Sequence, residues 1–235
     1  MAYLYEIHMH TAEGSDCGVA TAVEQVRIYK KCGYQGIIIT DHFINGSSSS
    51  PNRFNWEHTN LDWAEEMEYV FAGYKAAKAE GDRIGLDVFF GWEFMVKGSG
   101  TELLTYGLEP DFLLAHPNIH VLDIAEYTEL IRKNGGFIAQ AHPYRDRPYI
   151  SNKFPVDSKY LDAIEVYNAS DPSESNDQAL AFAKENNLPM QAGSDSHYID
   201  IPFASGIILE HRATSSQDII DAIKNSKVQL ILPIE

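Results

Sequence analysis

Short apolar runs bounded by turn residues alternate along this chain with stretches whose apolar positions recur at helical spacing. The runs occupy residues 3–9, Gly36–Ile39, Val88–Phe90, Leu103–Tyr106, Gly136–Ala139, Ala163–Val166, Met190–Ala192 and Gly206–Leu209. They lack the in-and-out alternation of a half-solvated strand, which predicts parallel strands buried on both faces. The helical stretches are predicted over Val19–Cys32, Leu61–Ala79, Ile124–Ile131, Gln178–Asn186 and Ser216–Asn225. Asp123 is placed to cap the third and Ser215-Ser216 precede the last, while Asn134-Gly135-Gly136 ends the third.

Polar, metal-capable residues stand at or just past the ends of these strands: His8 and His10, His42, Glu93, His142, and Asp195 with His197. A barrel brings the loops that follow many strands to one mouth, whereas an open doubly wound sheet gathers ligands at one switch point. The pattern therefore favours a barrel-type α/β fold. At 235 residues the chain fits a single domain, 1–235, with residues 43–60 as its one long loop. That loop holds Gly46-Ser-Ser-Ser-Ser50 and is of the kind that forms lids.

Composition narrows the partners. Eighteen basic against 34 acidic side chains give a formal net charge of −16, which repels a polyphosphate backbone and argues against extended nucleic acid. A small phosphorylated substrate stays open, because bound cations reverse the local field. No apolar stretch is long enough to span a membrane and the start of the chain enters a strand pattern directly, so the expectation is a cytoplasmic protein with no membrane partner. Two cysteines, Cys17 and Cys32, make no disulfide framework.

Side chains alternate on a strand, so His8 and His10 point the same way about 6–7 Å apart. Alone, a His-x-His pair is an ordinary polar feature. Asp195-Ser-His197 repeats the geometry, and a carboxylate at Glu93 can bridge two cations where an imidazole cannot. Jointly these groups predict a multi-metal hydrolytic site.

The same residues carry a resemblance. The blocks around His8/His10, His42, Glu93, His142 and Asp195/His197, in that order, resemble the PHP (polymerase and histidinol phosphatase) family of metal-dependent phosphoesterases over essentially the whole chain. The resemblance implies a distorted seven-stranded β/α, TIM-like barrel holding two to three divalent transition metals (manganese, iron or zinc). One metal would take His8, His10, Glu93 and Asp195; a second would share Glu93 and take His142; a third would take Asp16, His42 and His197. Where many relatives carry a second-metal histidine, this chain has Glu102, a harder ligand that favours manganese or iron over zinc. Asp16 also reads as a helix-capping carboxylate ahead of Val19. Asp41 reads as orienting His42 or a water.

Arg145 and Arg147 follow His142. An arginine fork matches two phosphate oxygens, and by resemblance Arg145 holds the substrate phosphate, whereas Arg147 also reads as a surface partner of Asp146. Arg53 is a weaker candidate. His58, His116, His120 and His211 read as turn or solvated residues. The implied function is hydrolysis of a small phosphorylated metabolite by attack of metal-held hydroxide on phosphorus, with Glu93, Asp195, His197 and Arg145 carrying the chemistry. The alternatives are an amidohydrolase-like enzyme, since a binuclear site can also attack a carbonyl, and a non-catalytic PHP module.

Overall fold

The computed structural model describes residues 2–43, 62–96, 98–148, 150–198 and 205–232. All eight apolar runs are strands: β1 (Tyr3–Glu6), β2 (Gly36–Ile39), β4 (Asp87–Met95), β5 (Glu102–Tyr106), β6 (Phe137–Gln140), β7 (Ala163–Asn168), β8 (Met190–Gly193) and β9 (Gly206–Leu209). Two more, β3 (His42–Phe43) and β10 (Gln229–Ile231), are too short to register as runs. Among the described residues seven α-helices connect them: α1 (Ala22–Lys31), α2 (Trp63–Val70), α3 (Ala72–Ile84), α4 (Pro110–Ala115), α5 (Ile124–Lys133), α6 (Ser173–Asn186) and α7 (Ser216–Lys224).

The strand order is β10-β9-β1-β2-β4-β5-β6-β7-β8, with β3 beside β4. Beyond its paired residues, β1 continues toward the far edge of the sheet. A parallel bridge joins Met9 to Ser196, Asp195 N donates to His8 O (2.9 Å) and His10 N donates to Ser196 O (2.9 Å). These bonds bring the segment after β8 against the segment after β1. The ring of β1, β2, β4, β5, β6, β7 and β8 is thereby nearly closed into a seven-stranded barrel, with β9 and β10 added along the lower half of β1.

The strands are not all parallel, contrary to the sequence expectation. β5 pairs antiparallel with both β4 and β6, and β9 antiparallel with β1. Only a short connection, 96–101, separates β4 from β5, and Val96 N donates across it to Thr101 O (2.8 Å). So short a link cannot return the chain to the start of a parallel strand. As a result β5 begins at the end of the barrel where its neighbours finish, and Glu102, its first residue, pairs with Met95 there.

Sequence signals set most helix ends. Asp123 caps α5 and Ser215 caps α7, each in a reciprocal box with the residue three further on. α1 is capped by Thr21 with Glu24, not by Asp16. The helix expected over Leu61–Ala79 is two, because Phe71 ends α2 and starts α3; its ring is buried against Phe90 at 5.6 Å. Leu61 lies outside the described residues, as does 44–61, so the lid expectation for the long loop is not addressed.

Three apolar clusters seat the helices on the sheet. One joins Met67, Trp92, Tyr127 and Ile164; a second Tyr5, Tyr106, Phe137 and Ile219; a third Val26, Tyr29, Ile37 and Ala77. Each fully buried side chain of this size contributes about 1.5–3 kcal/mol by leaving water. No helix among the described residues is long and apolar enough to cross a membrane.

Candidate metal centre

At the mouth the strand ends deliver buried polar groups into one space. His8 and His10 come from the continuation of β1, His42 from β3, Glu93 from within β4, Glu102 from the start of β5, His142 from just after β6, and Asp195 and His197 from the segment after β8. Glu93 is central. Its Oε1 lies 3.0 Å from His142 Nε2 and 3.4 Å from His8 Nε2; its Oε2 lies 3.0 Å from His42 Nδ1 and 3.4 Å from His10 Nε2. Asp195 Oδ1 faces His10 Nε2 (3.1 Å), His8 Nε2 (3.5 Å) and His197 Nδ1 (3.5 Å). Glu102 lies 3.5 Å from His142 Nε2 and 3.9 Å from His42 Nδ1.

The imidazoles are oriented from behind. His8 donates from Nδ1 to Glu165 Oε1 (2.8 Å), His10 Nδ1 meets Ser15 Oγ (3.2 Å), and His197 donates from Nδ1 to the Asp195 carbonyl (2.8 Å). This turns the Nε2 atoms of His8 and His10 inward, and both are buried without a hydrogen-bond partner, as is Glu93 Oε2. Buried polar atoms are normally satisfied. Orphaned imidazole nitrogens, each fixed through the opposite ring nitrogen and facing carboxylates, are a donor set that fits divalent cations. Four overlapping groups have mutually close ligand atoms: His8/His10/Asp195, His8/Glu93/His142, His42/Glu93/Glu102 and His10/His42/His197.

Electrostatics follow from that crowding. Burial opposes ionisation of Glu93, but His42, His8 and the His142 hydrogen bond outweigh it and hold the carboxyl well below the usual range. Burial likewise opposes Asp195, which the Arg145 guanidinium and His8 pull well down. Burial, aided by the neighbouring His42 and His197, pushes His10 well below the ordinary imidazole value and leaves it neutral, the ligating form. Glu102, buried and beside Glu93, is pushed up to about 7. Two of the residues, His142 (φ 28°) and Asp195 (φ 53°), sit in left-handed backbone, a conformation that clusters at functional sites.

Eight of the nine ligand candidates from the sequence meet in this space. Asp16 does not: it is exposed and joins none of the ligand groups found among the described residues. Its neighbour Cys17 instead places Sγ 3.1 Å from His197 Nε2. Burial opposes ionisation of that thiol, but hydrogen bonds with His197 and His42 bring it down to about 6. Arg145 is at the site but engaged. Its Nε donates to Asp171 Oδ1 (2.8 Å), and its Nη2 donates to Asp195 Oδ2 (2.6 Å) and Asn168 Oδ1 (3.3 Å). Nη1 is left without a contact among the described residues.

Arg147 is exposed and its guanidinium donates to the Asp146 carbonyl (3.4 Å). Asp41 does not orient His42 through its side chain. It accepts from Thr11 N, Thr11 Oγ1 and Ser15 Oγ (2.6–2.8 Å), and so fixes the serine that meets His10. His116 ends α4 and donates to Phe112 O (2.6 Å). His120 is not solvated, because its short helical turn stacks it on Trp63 at 5.8 Å. His211 is exposed, and His58 and Arg53 lie outside the described residues.

Glu165 is the residue that sequence reasoning passed over. It holds His8 from one oxygen and accepts from His142 N with the other (3.0 Å), so two ligands share one support. The signal was present: a glutamate in the middle of the apolar run Ala163-Ile-Glu-Val166 needs partners.

Residues 173–228, which carry Asp195 and His197, match the PHP-associated family PHP_C. No curated protein matches the sequence. Among solved structures, a two-domain protein of Bacteroides vulgatus ATCC 8482 containing a predicted PHP-like metal-dependent phosphoesterase superposes with a TM-score of 0.71 at 17% identity. That match covers 98% of this chain and 64% of that one, so this chain spans about two thirds of the two-domain protein. PsfC from Pseudomonas syringae PB-5123 superposes with a TM-score of 0.66 at 17% identity, over 99% of this chain and 92% of that one. An amidohydrolase from Chromobacterium violaceum, with bound sulfate and no metal, gives 0.59 at 13% identity, over 97% and 98%. At these identities the likeness is one of fold. The C-terminal segment is similar in sequence to the PHP-associated family, and the barrel as a whole is similar in fold to a protein containing a predicted PHP-like phosphoesterase.

Proposed function

We propose that this chain is a metal-dependent hydrolase of small phosphate esters. The observation that carries the proposal is the set of buried, unpartnered ligand atoms, His8 Nε2, His10 Nε2 and Glu93 Oε2, converging at the barrel mouth. His8, His10, Glu93 and Asp195 would hold one cation, Glu93, Glu102 and His142 a second, with His42 and His197 serving a third. When bound, such cations supply Lewis acidity, ionising water near neutral pH and neutralising phosphoryl oxygens.

The protein's own groups do the positioning. Glu165 keeps the lone pairs of His8 and His142 aimed inward. Arg145, braced by Asp171 and Asn168, offers Nη1 to a phosphoryl oxygen beside Asp195. Recognition by a fixed guanidinium suits a small, charged substrate. The PHP-associated match of the C-terminal segment supports the same chemistry.

One observation favours a second reading. Two carboxylates, Asp195 and Asp171, already neutralise Arg145, and a guanidinium so engaged serves an uncharged carbonyl substrate as well as a phosphate. The fold likeness to an amidohydrolase points the same way. Protein purified without chelator should carry two to three equivalents of manganese, iron or zinc. It should release phosphate from phosphomonoester or phosphodiester metabolites in a panel run beside carboxylic esters and amides. Turnover of amides alone would install the amidohydrolase reading. Neither bound metal nor metal-dependent turnover would leave a non-catalytic module.

A further inference from the structure

We propose that Cys17 is a metal ligand, forming with His42 and His197, beside His10, a thiolate–imidazole pocket at one end of the centre. This rests on the multi-metal reading above and adds to it a pocket of different chemical softness.

The three imidazoles are already assembled. The His10 ring lies 4.3 Å from both His42 and His197, and the ligand atoms of all three are mutually within 4.8 Å. His10 Nε2 is buried and unpartnered. Carboxylates already face His10, His42 and the Nδ1 of His197, and Cys17 Sγ stands 3.1 Å from the remaining ring nitrogen, His197 Nε2.

Its placement is built into the 11–20 loop. Ala12 N donates to Ala20 O (2.8 Å), Ser15 N to Thr11 O (2.9 Å) and Gly18 N to Ser15 O (2.9 Å), closing the loop on itself. Val19 N and Ala20 N then both donate to the His197 carbonyl (2.8 and 3.0 Å), tying the loop to the residue that Cys17 faces. Ser15 Oγ, fixed by Asp41, also accepts from His42 N (2.9 Å). Gly18 cannot be replaced freely, because a Cβ there would come within 2.3 Å of Thr11 O. Asp16 and Cys17 are both exposed on this loop, and Cys17 Sγ meets His197 Nε2.

The two ends of the centre then differ. Two imidazoles and a thiolate, with the fourth position open, form an N/S set that suits zinc, whereas Glu93, Glu102 and His142 form a harder, oxygen-rich set that suits manganese or iron. On binding, the thiol S–H breaks, its proton leaves to solvent and a metal–sulfur bond forms, one proton per cation. The structure thus points to a mixed-metal centre with zinc at the thiolate end.

Cobalt(II) titration tests this, because a thiolate ligand adds a near-ultraviolet charge-transfer absorption that imidazole and carboxylate ligands do not. The band is expected in the parent protein, in Cys32→Ser and in Asp16→Asn, and it is expected to vanish in Cys17→Ser with loss of one metal equivalent. A second measurement uses the parent protein alone. Zinc at 100 times its Kd should slow alkylation of Cys17 about 100-fold, by mass action, while Cys32 reacts at an unchanged rate. A band retained in Cys17→Ser, or lost in Asp16→Asn, would overturn the assignment, as would alkylation indifferent to zinc. A cobalt-loaded protein with no thiolate band would sink this inference and leave the multi-metal centre standing. A protein that binds no metal would sink both.

Discussion

Two carboxylates, Glu6 and Glu93, are both buried in the barrel, and their surroundings separate structure from chemistry. Glu6 ends β1, and both of its oxygens are engaged. Oε1 accepts from Ile7 N, His8 N and Ser194 N (2.9–3.1 Å), and Oε2 accepts from Tyr29 Oη (3.1 Å). Glu93, together with His8 and His10 two and four residues beyond Glu6, leaves inward-facing atoms unsatisfied. The first network is complete without a ligand and locks the strand ends together. The second is complete only when something positive occupies its centre. In a low-dielectric interior, that difference in satisfaction distinguishes a scaffold from a site.

Breaking the second network should have the larger consequence. Glu93→Gln keeps the shape of the side chain but removes the shared charge. Metal content should fall by at least one equivalent, and kcat/KM by at least ~10²–10³-fold, the scale of losing one electrostatic donor. Unchanged metal stoichiometry with full activity would remove Glu93 from its bridging place.

Arg145→Ala should lower kcat/KM by roughly 2–4 kcal/mol if Nη1 holds a phosphoryl group. Arg145→Lys should rescue only part of this, because a point charge cannot brace Asp195, Asp171 and a phosphate together. Arg147→Ala should behave as the parent. A full effect on amide substrates and none on phosphate esters would transfer the site to carbonyl chemistry.

Glu165→Gln probes the support behind the ligands. Weaker orientation of His8 and His142 should reduce metal affinity by ~10–100-fold, read by competition with a chromophoric chelator. Parent-like affinity would show that the two imidazoles hold their orientation unaided.

Glu6→Gln sharpens the contrast from the other side, and metal affinity should stay at the parent value. Burial pushes Glu6 up to about 7, so between the unfolded value near 4.5 and 7 the folded chain holds a proton that the unfolded chain has lost. That contribution to stability is therefore present at low pH and lost as pH rises through 7, with a slope of up to ~1.4 kcal/mol per pH unit. Thermal melts of the variant should be flatter over that range. An unaltered pH profile would mean that Glu6 is ionised throughout.

Much of this was legible in the sequence because buried strands and their terminal polar residues leave a plain signature. Every apolar run is a strand, and His8, His10, His42, Glu93, His142, Asp195 and His197 converge as strand-end placement implies. Glu102 was readable as a candidate, but not the reason it reaches the mouth. That reason is the antiparallel run of β5, set by a short connection rather than by any residue preference. Cys17 and Glu165 went unread for different causes. Which side chain of the loop meets His197 depends on that loop's hydrogen bonds to the His197 carbonyl, which no local pattern encodes. Glu165 acts through His8 and His142, and a supporting role has no spacing of its own. Arg145 was read for its charge, but its pairing with Asp171 spans 26 residues of sequence.

His142 and Asp195 hold their places with positive φ, a conformation that costs of order 1–3 kcal/mol for a side chain bearing a Cβ. The chain thus folds against two local penalties that exist only to aim ligands. Cations that bind the folded form alone return that free energy by mass action, in proportion to the logarithm of their concentration. Melting temperature and resistance to proteolysis then become gauges of metal supply. On the metal-dependent reading, a cell starved of transition metal would lose this protein by turnover as well as by inactivity.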